Sequence, residues 1–459
     1  MFIFSLIILP LHQNLKKMKI HFIAIGGSAM HNLAIALKQK GYQVSGSDDE
    51  IFEPAKSRLD SYGLLPENIG WYPEKISSDL DAVILGMHAK EDNPELLKAK
   101  EIGVKIFSYP EYLYEASKDK TRIVVGGSHG KTTITAMILH VMQKLGIETD
   151  YMVGAKLEGF DVMVKMSDAK YMVLEGDEYL SSTLDRRPKF HLYKPNIAII
   201  NGIAWDHINV FPTFDMYVEQ FKIFADKIAE NGSLVYFQDD ENICKIAKGV
   251  RKDIQTYPYR ELPQEIVEKY PLQIFGKHNL INLNAAMTAL EQIGVKREDF
   301  LSAIQSFKGA SKRLELVKKN NKQAFYTDFA HSPSKLKATV EAMKSQFPDR
   351  KLTAVMELHT FSSLTKEFLV QYAHTMDLAD ETAIYFNSHA LELKRLPNLD
   401  KDLIYSCFQK EGLRVLTTKE DIEAFVINNS KNNENILMMS SSTFDGLDLK
   451  ALANKIIKE

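Results

Sequence analysis

The stretch RIVVGGSHGKTTITAMILHVMQKLG, from Arg122 to Gly146, limits what this chain can fold into more than any other. A β-branched apolar run ends in two glycines, a short polar loop follows, and an apolar-periodic helix begins near Lys131. A strand that passes through glycines straight into a helix belongs to a parallel sheet, whose neighbouring strands need long crossover connections. The loop is also suited to phosphate. Backbone N–H groups at a helix N-terminus attract phosphate oxygens, and glycine permits close approach. The usual pattern is glycine, four residues, then Gly-Lys-Ser/Thr. Here Val125 stands where the first glycine is expected, and Gly126 and Gly127 come late.

At 459 residues the chain exceeds what one hydrophobic core supports. The same strand–helix alternation divides it into three α/β blocks: residues 18–119, 120–309 and 310–459, with Lys118-Asp119-Lys120 as a linker. Residues 1–17, MFIFSLIILPLHQNLKK, contain an apolar run broken by Pro10, with no basic residue before it. That is neither a signal peptide nor a comfortable bilayer span, so the segment reads as an extension or mis-assigned start, with no stable membrane insertion. A net charge of −3 gives no reason to expect nucleic acid. Cys244 and Cys407 lie far apart without metal-ligand spacing, which suits a reducing, cytoplasmic setting.

In open α/β sheets, ligands collect at the C-terminal ends of strands. The middle block sends polar groups there from three apolar runs: Lys131 and Thr132, Glu175 in YMVLEGDEY, and His207 in PNIAIINGIAWDH. Lys131 is expected beside the β- and γ-phosphates of a nucleotide, and the Thr132 hydroxyl on Mg2+. The first block carries IGGSAM (25–30) and GSD (46–48), and Ala29 stands near where a dinucleotide fingerprint needs its third glycine.

The Gly-Ser-His-Gly-Lys-Thr loop, placed after a nucleotide-type first block, resembles that of the Mur ligase family of peptidoglycan synthesis. The resemblance extends over almost all of residues 18–459. It implies three domains: an N-terminal Rossmann-like UDP-binding domain, a central P-loop ATPase-type domain and a C-terminal Rossmann-like domain. It implies ATP and Mg2+, and an amide bond formed through an acyl phosphate on UDP-N-acetylmuramate. Residues implied for ATP are Gly127, Ser128, His129, Gly130, Lys131, Thr132 and Thr133, with Asn279 of GKHNLINLNAA, Arg313 of KRLEL and Asp328 of DFAHSP. Thr132, Glu175 and His207 would hold metal. His331 and His359 would face the reaction centre with Lys131, Glu175, His207 and Arg313. Gly26, Gly27, Ser28, Met30, Asp48 and His88 would hold the UDP-sugar. Some branches carry a carbamylated lysine at the spacing of Lys222, but an ordinary exposed helical lysine is the expectation here.

Two branches compete for the amine. One joins free L-alanine to UDP-N-acetylmuramate; the other joins the tripeptide L-Ala-γ-D-Glu-meso-diaminopimelate. GDEYLSSTLDRRPKF, DFAHSP and MMSSSTFDG resemble the tripeptide branch and make it the expectation. ELHTFSSL keeps a histidine like that of the alanine branch. A nucleotide sensor or ATPase without ligase activity would need neither flanking block. The expected state is monomer or homodimer.

Overall fold

The computed structural model describes residues 17–458, apart from 156, 158, 161, 183, 395, 398, 431 and 432. Residues 1–16, most of the segment read as an extension, lie outside the described residues. Among the described residues no helix is long and apolar enough to cross a membrane.

One compact unit runs to Tyr112 and includes Ser182–Arg186. Its strands are β1 (Lys19–Ile23), β2 (Gln43–Ser47), β3 (Ala82–Leu85) and β4 (Ile106–Ser108), in the order β2-β1-β3-β4 and all parallel. A parallel sheet covered on both faces leaves little room for polar alternation, and AVIL of β3 is buried throughout. The helix Ser28–Gln39 follows β1 through the glycine turn.

The other unit comprises Leu113–Ser181 and Arg187–Glu459 and contains two sheets among the described residues. The first joins β5 (Thr121–Gly126), β6 (Thr149–Met152), β7 (Val164–Lys165), β8 (Tyr171–Glu175), β9 (Ile197–Ile200), β10 (Ser233–Phe237) and β11 (Gln255–Tyr259). The order is β11-β10-β9-β5-β8-β6-β7, parallel except at β6/β7. The central strands β5, β8 and β9 are almost wholly buried and end side by side. On one face the helix Lys131–Lys144 packs Met137, Ile138 and Val141 into a core shared with Leu283, Ala286 and Leu290 of the helix Lys277–Glu291. On another, Phe190 stacks on Phe224 of the helix Phe214–Asp226 with centroids 4.5 Å apart. Thr213 caps that helix, its hydroxyl accepting from the Met216 N–H.

The second sheet joins β12 (Glu315–Lys319), β13 (Ala324–Asp328), β14 (Lys351–Leu358), β15 (Glu381–Phe386), β16 (Arg414–Leu416) and β17 (Glu434–Met439). Its order is β12-β13-β17-β14-β15-β16, with only the edge strand β12 antiparallel. Asp328 closes β13, and Pro333 opens the helix Pro333–Gln346, where a missing N–H costs nothing.

The stretch read as a linker, Lys118-Asp119-Lys120, is fastened by Arg122. This guanidinium, 4% exposed, donates to the carbonyls of Ser117, Lys118 and Lys120 and to those of Tyr193 and Lys194. Arg122→Ala would strand several buried carbonyls, each costing about 1–3 kcal/mol. Its urea midpoint should fall by the equivalent of roughly 3 kcal/mol or more; a midpoint shift too small to resolve would refute this role.

Candidate functional site

The loop after β5 is shaped by two buried amides. Gly127 (φ +127) and Gly130 (φ +71) occupy the left-handed region. A Cβ at Gly127 would meet the Asn201 backbone, and one at Gly130 would run into the Asn201 and Asn282 amides. Asn201 Nδ2 donates to the His129 carbonyl at 3.1 Å and to Asn282 Oδ1 at 2.8 Å. Tyr259 donates its hydroxyl to Asn201 Oδ1 at 2.5 Å. This brace gives the shortened loop its glycines. Gly130 then caps the helix Lys131–Lys144 without any side-chain cap, which leaves first-turn N–H groups for a ligand.

Lys131 Nζ donates to the Gly127 carbonyl at 2.8 Å and to Glu178 Oε2 at 2.7 Å. Glu178 is 1% exposed. Its other oxygen accepts from the Tyr217 hydroxyl at 3.0 Å and lies 3.6 Å from His207 Nε2. Burial works against charge on Glu178, but Lys131 and His207 hold its carboxyl well below the usual range. Burial likewise opposes charge on Lys131, and Glu178 outweighs it, raising the ammonium. His207 follows the same balance: burial lowers it, while Glu178 and Asp206 raise it above the ordinary histidine value. The Tyr217 hydroxyl also meets Ser128 Oγ at 2.9 Å, and Ser128 Oγ accepts from the Ala204 N–H at 2.9 Å. One buried network thus joins the loop, the segment after β8 and the segment after β9.

Thr132 Oγ1 donates to Glu175 Oε1 at 2.8 Å, and the Gly154 N–H donates to Glu175 Oε2 at 2.9 Å. Among the described residues no three of His, Cys, Asp and Glu converge closely enough to hold a metal ion by themselves. A threonine hydroxyl and a strand-end carboxylate already in contact, with His207 nearby, nevertheless form a donor set for a hard cation that takes its remaining ligands from phosphate and water.

Asp206 and residues of the C-terminal block form the facing wall of a cavity of about 340 Å³, which Lys131, Thr132, Glu175, Glu178, His207, Asn279, Arg313 and Asp328 also line. Arg313 lies over the Phe329 ring at 4.5 Å. Both oxygens of Asp328 accept backbone N–H groups, from Leu314 and from Ala330, each at 2.7 Å, so this carboxylate orders the loop around Arg313. His331 Nδ1 is 2.8 Å from the Phe329 carbonyl, which makes it the protonated nitrogen and leaves Nε2 toward Asp206 at 4.0 Å. Burial, aided by Lys335, pushes His331 down to about 3, so the ring is neutral. His129, also pushed down to about 3 by burial, meets Ser334 Oγ through Nε2 at 3.2 Å. His129 Nδ1 is buried and has no hydrogen-bond partner among the described residues.

Some expected residues differ in local setting or lie apart from this cavity. His207 does not end a strand: β9 stops at Ile200, and His207 follows in a loop at φ +54. His359 follows β14 outside the cavity, 3.9 Å from Glu357 Oε1. Lys222 is exposed on its helix and meets Glu219 at 3.3 Å, as an ordinary surface lysine would. In the first unit, Asp48 Oδ2 accepts the Gly26 N–H at 2.6 Å, so this carboxylate shapes the glycine turn. Ser28 and His88 are exposed, Gly26 and Gly27 half-buried, and Met30 is buried at the turn.

Sequence reasoning missed Glu178, Tyr217, Asn201, Asn282 and Lys335. Glu178 had a signal, a second carboxylate in the same GDEY. Lys335 had one too, a lysine four residues after His331 in the stretch that leads from β13 into the next helix. Tyr217, in an apolar helical stripe, had none.

The chain matches the Mur ligase family catalytic domain over residues 19–121, the Mur ligase middle domain over residues 125–290 and the Mur ligase glutamate ligase domain over residues 312–442. It is 30% identical to the UDP-N-acetylmuramate–L-alanine ligase of Carboxydothermus hydrogenoformans, over 95% of this chain and 97% of that protein. Among solved structures, the UDP-N-acetylmuramate-alanine ligase of Thermotoga maritima superposes with TM-score 0.66 at 21% identity, covering 96% of this chain and 98% of its own. The murein peptide ligase of Psychrobacter arcticus gives TM-score 0.64 at 24% identity, covering 96% and 100%. These two likenesses are of fold.

Two outcomes follow from the geometry. Gly130→Ala should abolish nucleotide binding in calorimetry while circular dichroism stays native; wild-type affinity would contradict the amide brace. Glu178→Gln removes a charge that raises His207, so the His207 imidazole titration, followed by NMR, should move to lower pH. An unmoved titration would show that Glu178 does not set it.

Proposed function

We propose, on the premise that this chain belongs to the Mur ligase family of ATP-dependent amide-bond ligases, that it couples the lactyl carboxyl of UDP-N-acetylmuramate to an L-alanyl α-amine. The observation that carries this is the convergence in one cavity of the loop lysine, the Thr132–Glu175 pair and Arg313. The lactyl carboxylate attacks the terminal phosphorus of ATP and ADP departs, leaving an acyl phosphate. The neutral amine attacks the acyl carbon, the tetrahedral adduct collapses, and phosphate leaves with the one proton the nitrogen gives up as the amide forms. Lys131 and Arg313 would neutralise charge on the transferred group, and the first-turn N–H groups would hold the phosphates in line. Mg2+, when bound, supplies further neutralisation of phosphate charge; Thr132, Glu175 and His207 would hold it. Asn279 and Arg313 also line a neighbouring cavity of about 1230 Å³, which has room for the adenosine end. The glycine turn of the first unit would take the UDP diphosphate at the start of the helix Ser28–Gln39.

For the amine, free L-alanine is the first reading, because the curated relative matched over nearly the whole chain bears that activity in its name. This departs from the tripeptide expectation of the sequence. The tripeptide is the second reading, favoured by GDEY and RRPKF, two segments tied together by the Lys189–Asp177 ion pair at 2.6 Å beside Glu178. With MgATP and UDP-N-acetylmuramate, mass spectrometry should find the L-alanine adduct and matching ADP release. An adduct with the tripeptide alone would select the second reading. No adduct with either would sink both.

A further inference from the structure

The first turns of the helix Pro333–Gln346 line the cavity with Ser334, Lys335 and Ala338. A lysine here is electrostatically out of place. The first turn of a helix carries the positive end of its dipole and favours carboxylates, and Lys131 and Arg313 already bring cations to the same cavity. Burial pulls the Lys335 ammonium below its ordinary range, against the opposing pull of Asp206. Its contacts are loose: Asp206 Oδ2 at 3.8 Å and His331 Nε2 at 3.4 Å. Lys131, by contrast, is held by Glu178 at 2.7 Å, and Arg313 donates to the Lys312 carbonyl at 2.9 Å. Lys335 and Lys131 line the same cavity and act on each other's charge, Lys131 adding to the pull that lowers Lys335. Next to Lys335, Ser334 touches His129 of the loop itself.

We propose that Lys335 is a further catalytic residue, whose ammonium contacts the terminal phosphoryl group of bound ATP from the wall facing Lys131. This rests on the reading of the cavity as an ATP site. An anion delivered there offsets the crowding of positive charge, and a loosely held lysine gives up little to reach it. Because the C-terminal block supplies Lys335 and the middle block supplies Lys131, the terminal phosphoryl would be gripped by both.

The test compares two nucleotides that differ at that group. Calorimetry measures MgADP and Mg-β,γ-imido-ATP affinity for the full chain and for Lys335→Gln, Lys335→Met, Lys335→Arg and Lys337→Gln. Lys337, exposed on the same helix, controls for general charge. Loss of one charge-assisted contact should weaken imido-ATP by roughly ten- to a hundred-fold in the Gln and Met variants. MgADP affinity should hold in both, Arg should restore most of the difference, and Lys337→Gln should change neither. Equal losses for both nucleotides, or no loss, would overturn the assignment; having two neutral variants guards against a folding failure in one. If the wild type binds both nucleotides yet releases no ADP with UDP-N-acetylmuramate and amine, the substrate reading fails while the comparison still decides Lys335. If it binds neither, both fall.

Discussion

Lys131 is a partly buried cation in need of a partner, and Glu178 fills that place. The pair is costly to desolvate, and removing one member of such a pair typically costs about 3–5 kcal/mol because the other is left buried and charged. Much of the site is organised around keeping both members satisfied. Tyr217 fixes one oxygen of Glu178 and reaches Ser128, Ser128 anchors the Ala204 N–H, and His207 closes on the same carboxylate. On the proposed reading, incoming phosphates would compete with Glu178 for Lys131.

That network depends on strand order. Placing β9, β5 and β8 side by side brings three connections to one edge, and each contributes one part: the loop, the Glu175–Glu178 segment and the Asn201–His207 segment. The amides of Asn201 and Asn282 then set the path of the loop, which is why glycine falls at 127 and 130. Asp328 does the corresponding task in the second sheet. With both oxygens occupied by backbone N–H groups it fixes the loop that presents Arg313, so its carboxylate acts through position more than through charge.

How much of this the sequence discloses varies with burial. Central strands such as IVV of β5, MVL of β8 and IAII of β9 read plainly, since strands buried on both faces must be continuously apolar. The meeting of the loop lysine, Thr132 and Glu175 at one sheet edge read equally well, because strand ends in an open α/β sheet bring such groups together. Several edge strands of the two larger sheets did not. β11 is QTYPY with an internal proline, β16 is three residues long and β7 two, and one-sided or brief pairing leaves little pattern. Residues that act through a neighbour were hidden for a different reason. Tyr217 is chemically an apolar-face aromatic until tertiary packing sets its hydroxyl between Ser128 and Glu178. Asn201 and Asn282 become a brace only when β9 and the helix Lys277–Glu291 meet the loop.

The choice between the two amine substrates is a problem of the same kind. Free L-alanine and the tripeptide present the same α-amine to an acyl phosphate, so the groups that make the bond cannot tell them apart. What differs is the next atom group along: a carboxylate in the amino acid, a neutral amide in the peptide. A site for the free amino acid must answer that negative charge, since leaving it buried and unpaired is prohibitive. A site for the peptide gains nothing from a cation there and needs length instead. Near the end of β14, Glu357 is buried, accepts from the Ser440 hydroxyl and from the Phe444 N–H at 2.8 Å, and faces His359. Burial keeps that imidazole below its ordinary value, with Lys394 adding to the effect, so His359 is a poor counter-ion for such a carboxylate. Selectivity would then rest on a cation able to meet the α-carboxylate of the free amino acid, a feature that the bond-forming cavity does not govern.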